Sequence, residues 1–154
     1  MKKPDKAFGV KTAEESSGFL LWQVTTLWQR GIKRSLDSID ITHPQFVLLA
    51  SLLWLSRQQE SVTQIDLSNH SKIDPMTTST VIRTLERKQL IERQEHHSDT
   101  RAKSISLTEQ GIKITRQAVK IIEKFDSEFF QSLGEKTKNF NNGLLTLLNA
   151  QKEE

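Results

Sequence analysis

The sequence predicts a mainly α fold with a small β-hairpin wing, a winged helix-turn-helix carrying N- and C-terminal dimerisation helices. Three observations predict it. Only three prolines and six glycines occur in 154 residues, which leaves long stretches free to propagate helix. Two helical segments are separated by a four-residue stretch, Ser71 to Asp74, the spacing of a helix-turn-helix. After Leu90 the apolar residues change from a period near 3.6 to a period of 2, which marks a hairpin.

The elements follow in order. Residues 1–14 mix Lys, Asp, Thr and Glu without period and read as a flexible leader. In segment 15–41, Phe19, Leu20, Leu21, Trp22, Val24, Leu27, Trp28, Ile32 and Leu36 recur at helical spacing. Their stripe is too broad for one exposed helix, so a partner must cover it. The lobe proper spans 42–107. Thr42-His43-Pro44-Gln45 has the form of a capping box with Pro in the first turn, and opens a buried helix rich in Leu. Thr63 begins a short third helix with Ile65 and Leu67 turned inward, and Asp74-Pro75 caps a fourth that runs to about Lys88. Ile91-Glu92-Arg93-Gln94 and Ser104-Ile105-Ser106-Leu107 alternate as two strands around a polar tip. Segment 108–154 restarts as a long helix that ends near Leu133-Gly134, followed by a last helix containing Phe140, Leu144, Leu145, Leu147 and Leu148.

Composition removes whole classes of function. There is no cysteine, so disulfides, thiolate metal sites and cysteine nucleophiles or redox sensors are excluded. No window reaches about 18 uninterrupted apolar residues, so the expectation is a cytoplasmic protein with no membrane partner. Phosphate loops, nucleophile elbows and paired interior carboxylates are missing, and neither an enzyme nor a cofactor is expected. The formal net charge of +3 is compatible with a polyanionic partner without requiring one.

The fourth helix suits a duplex. If Thr78, Val81, Ile82 and Leu85 face inward, then Met76, Thr80, Arg83 and Arg87 face out, flanked by Thr77, Ser79 and Thr84. Short hydroxyl side chains permit close approach to the major groove, a Thr methyl matches a thymine methyl, and Arg83 can fork onto guanine. A merely polar helix face has the same composition. At the wing, Asp99 stands two residues before Arg101, where a carboxylate can brace a guanidinium for the minor groove, and Lys103 can hold a phosphate. An ordinary surface ion pair, worth under about 1 kcal/mol, has the same spacing.

Asp74-Pro75-Met76-Thr77-Thr78-Ser79-Thr80-Val81-Ile82-Arg83-Thr84-Leu85-Glu86-Arg87-Lys88, then Leu90-Ile91-Glu92-Arg93, Asp99-Thr100-Arg101-Ala102 and Leu107-Thr108-Glu109-Gln110-Gly111, resembles the MarR family of bacterial transcriptional regulators. The resemblance implies a homodimer, triangular in outline, with interlocked terminal helices and two lobes astride a palindromic double-stranded DNA operator. It implies a repressor or dual regulator with Arg101 in the minor groove supported by Asp99. Contacts from the recognition helix then fall on Thr77, Ser79, Thr80, Arg83 and Thr84. Two departures stand out. Gln89 occupies a place where the family often has glycine, which calls for a left-handed or adjusted turn, and the cysteine of the peroxide-sensing branch is absent.

The resemblance also implies a small aromatic or anionic effector, held in a crevice between the dimerisation helices and the lobe. Trp22, Trp28, His43 and Trp54 are the candidates to line it, with Arg30 or Lys33 as anion partners. The same aromatics at helical spacing read more readily as core. Two competitors are weaker. His96, His97 and Asp99 lack the spacing of a metal site, and a winged module for protein contacts without specific DNA binding does not account for Arg83, Arg87 and Arg101.

Overall fold

The computed structural model describes residues 2–95 and 103–152. Its helices are α1 (Ser17–Leu36), α2 (His43–Leu55), α3 (Gln64–Ser71), α4 (Pro75–Arg87), α5 (Glu109–Phe130) and α6 (Thr137–Ala150). Strands β1 (Ile91–Glu95) and β2 (Lys103–Leu107) form an antiparallel hairpin in which Ile91 faces Leu107 and Glu95 faces Lys103. Short 3-10 turns cover Ala13–Glu15, Asp37–Ile39 and Gln131–Lys136.

Four helix starts are set by side-chain caps. Thr42 and Gln45 form the capping box of α2. Thr63 and Asp66 form a second one on α3, a pair the sequence reading did not single out. Asp74 caps α4 and Thr108 caps α5, through bonds from the amides of Thr77 and Gly111. Gly111 permits the close approach of α5 to the wing, since a Cβ there would be driven into the Leu90 carbonyl.

Two cores meet around residues 39–46. The lobe core packs Leu48, Leu49 and Leu52 of α2 against Leu67, Ile82, Leu85, Leu90, Ile91 and Ile105. A second, smaller core joins Ile32 and Leu36 of α1 to Ala118 and Ile122 of α5. Ile39 and Phe46 touch both, so the segment around residues 39–46 couples the lobe to the long helices. Val62 adds to the wing by accepting the Ile105 amide (2.7 Å), which gives β2 a second neighbour.

In the leader, the Lys11 amide donates to the Glu15 carboxylate (2.9 Å) ahead of a 3-10 turn. Three expectations need correction. Ile65 is 71% exposed, because the short α3 buries only its Leu67 and Ser68 face. Helix α2 is not buried throughout, as Trp54 in its last turn is 62% exposed. The long helix stops at Phe130 rather than Leu133, where a 3-10 turn intervenes before Gly134 adopts φ +53°.

No single helix among the described residues is long and apolar enough to cross a membrane. The apolar surface lies elsewhere. Phe19, Leu20, Leu21, Trp22, Val24 and Leu27 of α1 are exposed, as are Leu145, Leu147 and Leu148 of α6. No residue of α6 is buried, and its Phe140 reaches α5 through Phe130, 5.9 Å between ring centroids.

Candidate nucleic-acid interface

Helix α4 is aimed by its turn. The helix-turn-helix has no glycine, and Lys72 takes the left-handed conformation instead, at φ +66°. Ser68 Oγ (2.7 Å) and Thr78 Oγ1 (3.3 Å) both donate to the Ile73 carbonyl, tying α3 and α4 to the turn between them. The Asp74 cap accepts from Thr77, and the side-chain and backbone hydrogen bonds of Thr77 hold its carboxyl below the usual aspartate range.

Thr78, Ile82 and Leu85 are buried, with Val81 half-buried beside them. The opposite face therefore presents Met76 (81% exposed), Thr77, Thr80, Arg83 and Arg87, with Ser79 and Thr84 half-buried along its flanks. Local bonds shape this face. Thr80 Oγ1 donates to the Met76 carbonyl (3.1 Å), Thr84 Oγ1 to the Thr80 carbonyl (3.2 Å), and Arg87 Nη2 to Thr84 Oγ1 (3.1 Å). With their protons engaged by helix carbonyls, the two threonines offer an acceptor oxygen and a methyl, while Arg83 and Arg87 supply donors.

The wing is attached to this helix. Arg93 Nε of β1 lies 2.8 Å from Glu86 Oε2 of α4, in ion-pair rather than linear hydrogen-bond geometry. Lys103 is exposed at the far end of β2. Asp99 and Arg101, together with His96 and His97, lie outside the described residues. Gln89 does adopt the left-handed turn its sequence position called for (φ +61°), and its carbonyl accepts from Thr108 Oγ1 (2.8 Å).

The residues proposed for a ligand crevice separate into two groups. Trp22 (70% exposed) and Trp54 (62% exposed) lie on outer surfaces of α1 and α2, away from the cleft that His43 borders. Trp28 and His43 do meet, edge to face at 5.1 Å. Trp28 Nε1 also donates to Asp126 Oδ1 of α5 (2.8 Å), a contact across 98 residues that no local signal announces. His43 borders a cleft of about 410 Å³ with Gln29, Lys33, Asp40 and Thr42. Burial pushes the His43 imidazole below its ordinary pKa, and the Asp126 carboxylate partly opposes this.

The cleft is linked to α4. Lys88 Nζ, just past the end of that helix, donates to the Asp40 carbonyl (2.6 Å) and to Gln45 Oε1 (3.3 Å). The sequence reading missed Lys88, because its partners lie 48 and 43 residues away. Among the described residues, no group of three or more His, Asp or Glu is placed to hold a metal.

A helix-turn-helix with an attached hairpin, presenting a polar and cationic helix face, defines the class of winged-helix DNA-binding regulators. Residues 37–124 match the model described as "ArnR1-like, winged-helix domain". The chain is 44% identical over 133 residues to the HTH-type transcriptional regulator YdcH of Bacillus subtilis, covering 86% of this chain and 90% of that one. It is 32% identical over 130 residues to the organic hydroperoxide resistance transcriptional regulator of the same organism, covering 84% and 85% respectively. Among solved structures it superposes on the DNA complex of S. aureus MepR with a TM-score of 0.80 and 28% identity, over 89% of this chain and 99% of that one. The chain belongs to the MarR family of winged-helix transcriptional regulators.

Proposed function

We propose that the chain is a homodimeric repressor that reads a palindromic operator with α4 in the major groove and the wing in the minor groove. The outer face of α4 carries the reading: Thr77, Thr80 and Arg83 are exposed on a helix whose angle is fixed by a capped and hydrogen-bonded turn. Ser79 and Thr84 flank them, and Lys103 stands where β2 leaves the hairpin tip. Asp99 and Arg101 are assigned to the wing contact by sequence. A protein-contact role for the same winged fold has less support, because the α4 face carries Arg83 and Arg87 rather than an apolar patch.

The dimer has its own support. A stripe from Phe19 to Leu27 and the Leu145, Leu147 and Leu148 face of α6 are apolar and uncovered. A second copy of the chain covers both. Such a regulator acts in the cytoplasm, on DNA, with no chemistry of its own.

A small anionic effector is accommodated by the cleft of Lys33 and His43, at the junction between the long helices and the lobe. The route to the DNA-reading face is short: a ligand that displaces Asp40 disturbs the Lys88 bond at the end of α4. Because the chain has no cysteine, thiol oxidation is not available to it as a signal.

The experiment is titration of a selected operator with the parent and with Arg83→Ala and Arg101→Ala. Each substitution is expected to weaken binding at least about tenfold, equal to about 1.4 kcal/mol, with the dimer intact by sedimentation. Unchanged affinity in both variants would overturn the assignment.

A further inference from the structure

The outer face of α4 has a narrower chemistry than its polar composition suggests. Thr80 Oγ1 and Thr84 Oγ1 give their protons to the Met76 and Thr80 carbonyls, and the Thr77 side chain is bonded to the Asp74 carboxylate at the cap. None of these threonines keeps a donor for a base. What they turn outward is an acceptor oxygen and a methyl group.

Other base readers are missing from the same helix. From Pro75 to Arg87 it holds no Asn or Gln, the side chains that fork onto adenine, and Glu86, which could accept from cytosine, stands 2.8 Å from Arg93. Arg87 spends a donor on Thr84 Oγ1. Arg83 is therefore the guanine reader, and adenine is left without a dedicated partner on α4.

Met76 stands where that gap falls. It is 81% exposed in the first turn of α4, the part of a recognition helix that reaches base edges, and its flexible apolar thioether can close over a methyl group. Met76, Thr80 and Arg83 share one stripe of the helix. At 1.5 Å per residue the stripe is about 10 Å long, equal to about three base-pair steps.

We propose that Met76 and the Thr80 methyl read thymine through its C5-methyl group, so that A·T pairs of the operator are recognised on the thymine strand, within about three base pairs of the guanine that Arg83 meets. The inference rests on α4 as the DNA-reading helix and adds the identity of the bases. Uracil and thymine pair alike and differ only in that methyl, so the protein distinguishes duplexes with the same hydrogen-bonding code.

The test is titration of an operator selected from random duplexes, with each thymine replaced in turn by deoxyuridine. At one thymine facing Met76 and one facing Thr80, loss of the methyl is expected to weaken binding about fourfold for each half-site changed. The first penalty should fall below about twofold in Met76→Ala, and the second in Thr80→Ser, which keeps the hydroxyl and its bond to the Met76 carbonyl. Both side chains are exposed, which keeps the lobe core out of the experiment. In the parent, 5-methylcytosine at these positions should be bound about fourfold more tightly than cytosine, because the methyl alone is restored. Failure to bind any duplex would overturn α4 as the reading helix and this inference with it. Tight binding indifferent to deoxyuridine at every position, or penalties equal in the parent and both variants, would overturn this inference alone.

Discussion

Gln89 sits at φ +61° between the recognition helix and the wing, where an L side chain is strained by about 1–2 kcal/mol. Glycine relieves that strain at an entropic cost of about 0.5–1 kcal/mol, so Gln89→Gly is expected to stabilise the fold by about 0.5–1 kcal/mol. Urea unfolding measures it; a less stable variant would show that the Gln89 side chain contributes something its exposure does not reveal. The turn was expected from the family resemblance, which puts glycine where Gln89 stands. The left-handed Lys72 was not, since lysine gives no sign of such a conformation and the missing glycine only withholds the usual marker. His43 makes a second prediction. Its folded pKa is depressed by burial, so the unfolded chain takes up a proton more readily as the pH falls. The stability this contributes is present above the unfolded value of about 6.5 and is lost as the pH drops through the lowered folded value. His43→Gln should therefore show a flatter dependence of unfolding free energy on pH between about 7.5 and 5 than the parent. An equal slope in the two proteins would remove His43 from the pH response.

At the scale of elements, the caps account for why so much of the chain was readable. Thr42-His43-Pro44-Gln45 and Asp74-Pro75 state their helix starts within four residues, and the structure places α2 and α4 there. Alternation from Ile91 to Gln94 and from Ser104 to Leu107 fixed the strands in the same way. Ends were harder. Phe129 and Phe130 continue the apolar stripe of α5, yet the helix gives way at Gln131 to a 3-10 turn that redirects the chain toward α6. Helical spacing places Trp22, Trp28 and Trp54 on helices without saying what each faces. Trp28 meets His43 and Asp126, whereas the other two remain on the outside. Leu27 is 55% exposed within one chain, so Leu27→Glu should leave the lobe folded and yield a monomer, since in the dimer the charge would be buried without a partner. Sedimentation of a stable dimer would place the joint elsewhere.

In the whole molecule, two cores meet at residues 39–46. The α1 and α5 core fixes the long helices, the lobe core fixes α4 and the wing, and residues 39–46 connect the two. Lys88 crosses this boundary with a 2.6 Å bond to Asp40, beside the cleft that includes Lys33 and His43. Lys88→Met should leave the dimer and the α4 face in place while blunting any effector-dependent change in operator affinity, a coupling expected to be worth about 1–3 kcal/mol in the parent. Retention of the full response would mean that the signal takes another path. Contacts of this kind join residues more than 40 positions apart and leave no periodic trace, which is why this junction was invisible while the helices on either side were not.

In the proposed dimer, two copies of α4 read duplex DNA. Selection of bound duplexes from a random library, followed by titration of the winner across salt concentrations, tests it directly. The expected result is a palindrome with half-sites about one helical turn apart, bound with an affinity that falls steeply as salt rises. Failure to enrich any sequence, or enrichment of a single unrepeated site with an affinity indifferent to salt, would contradict it.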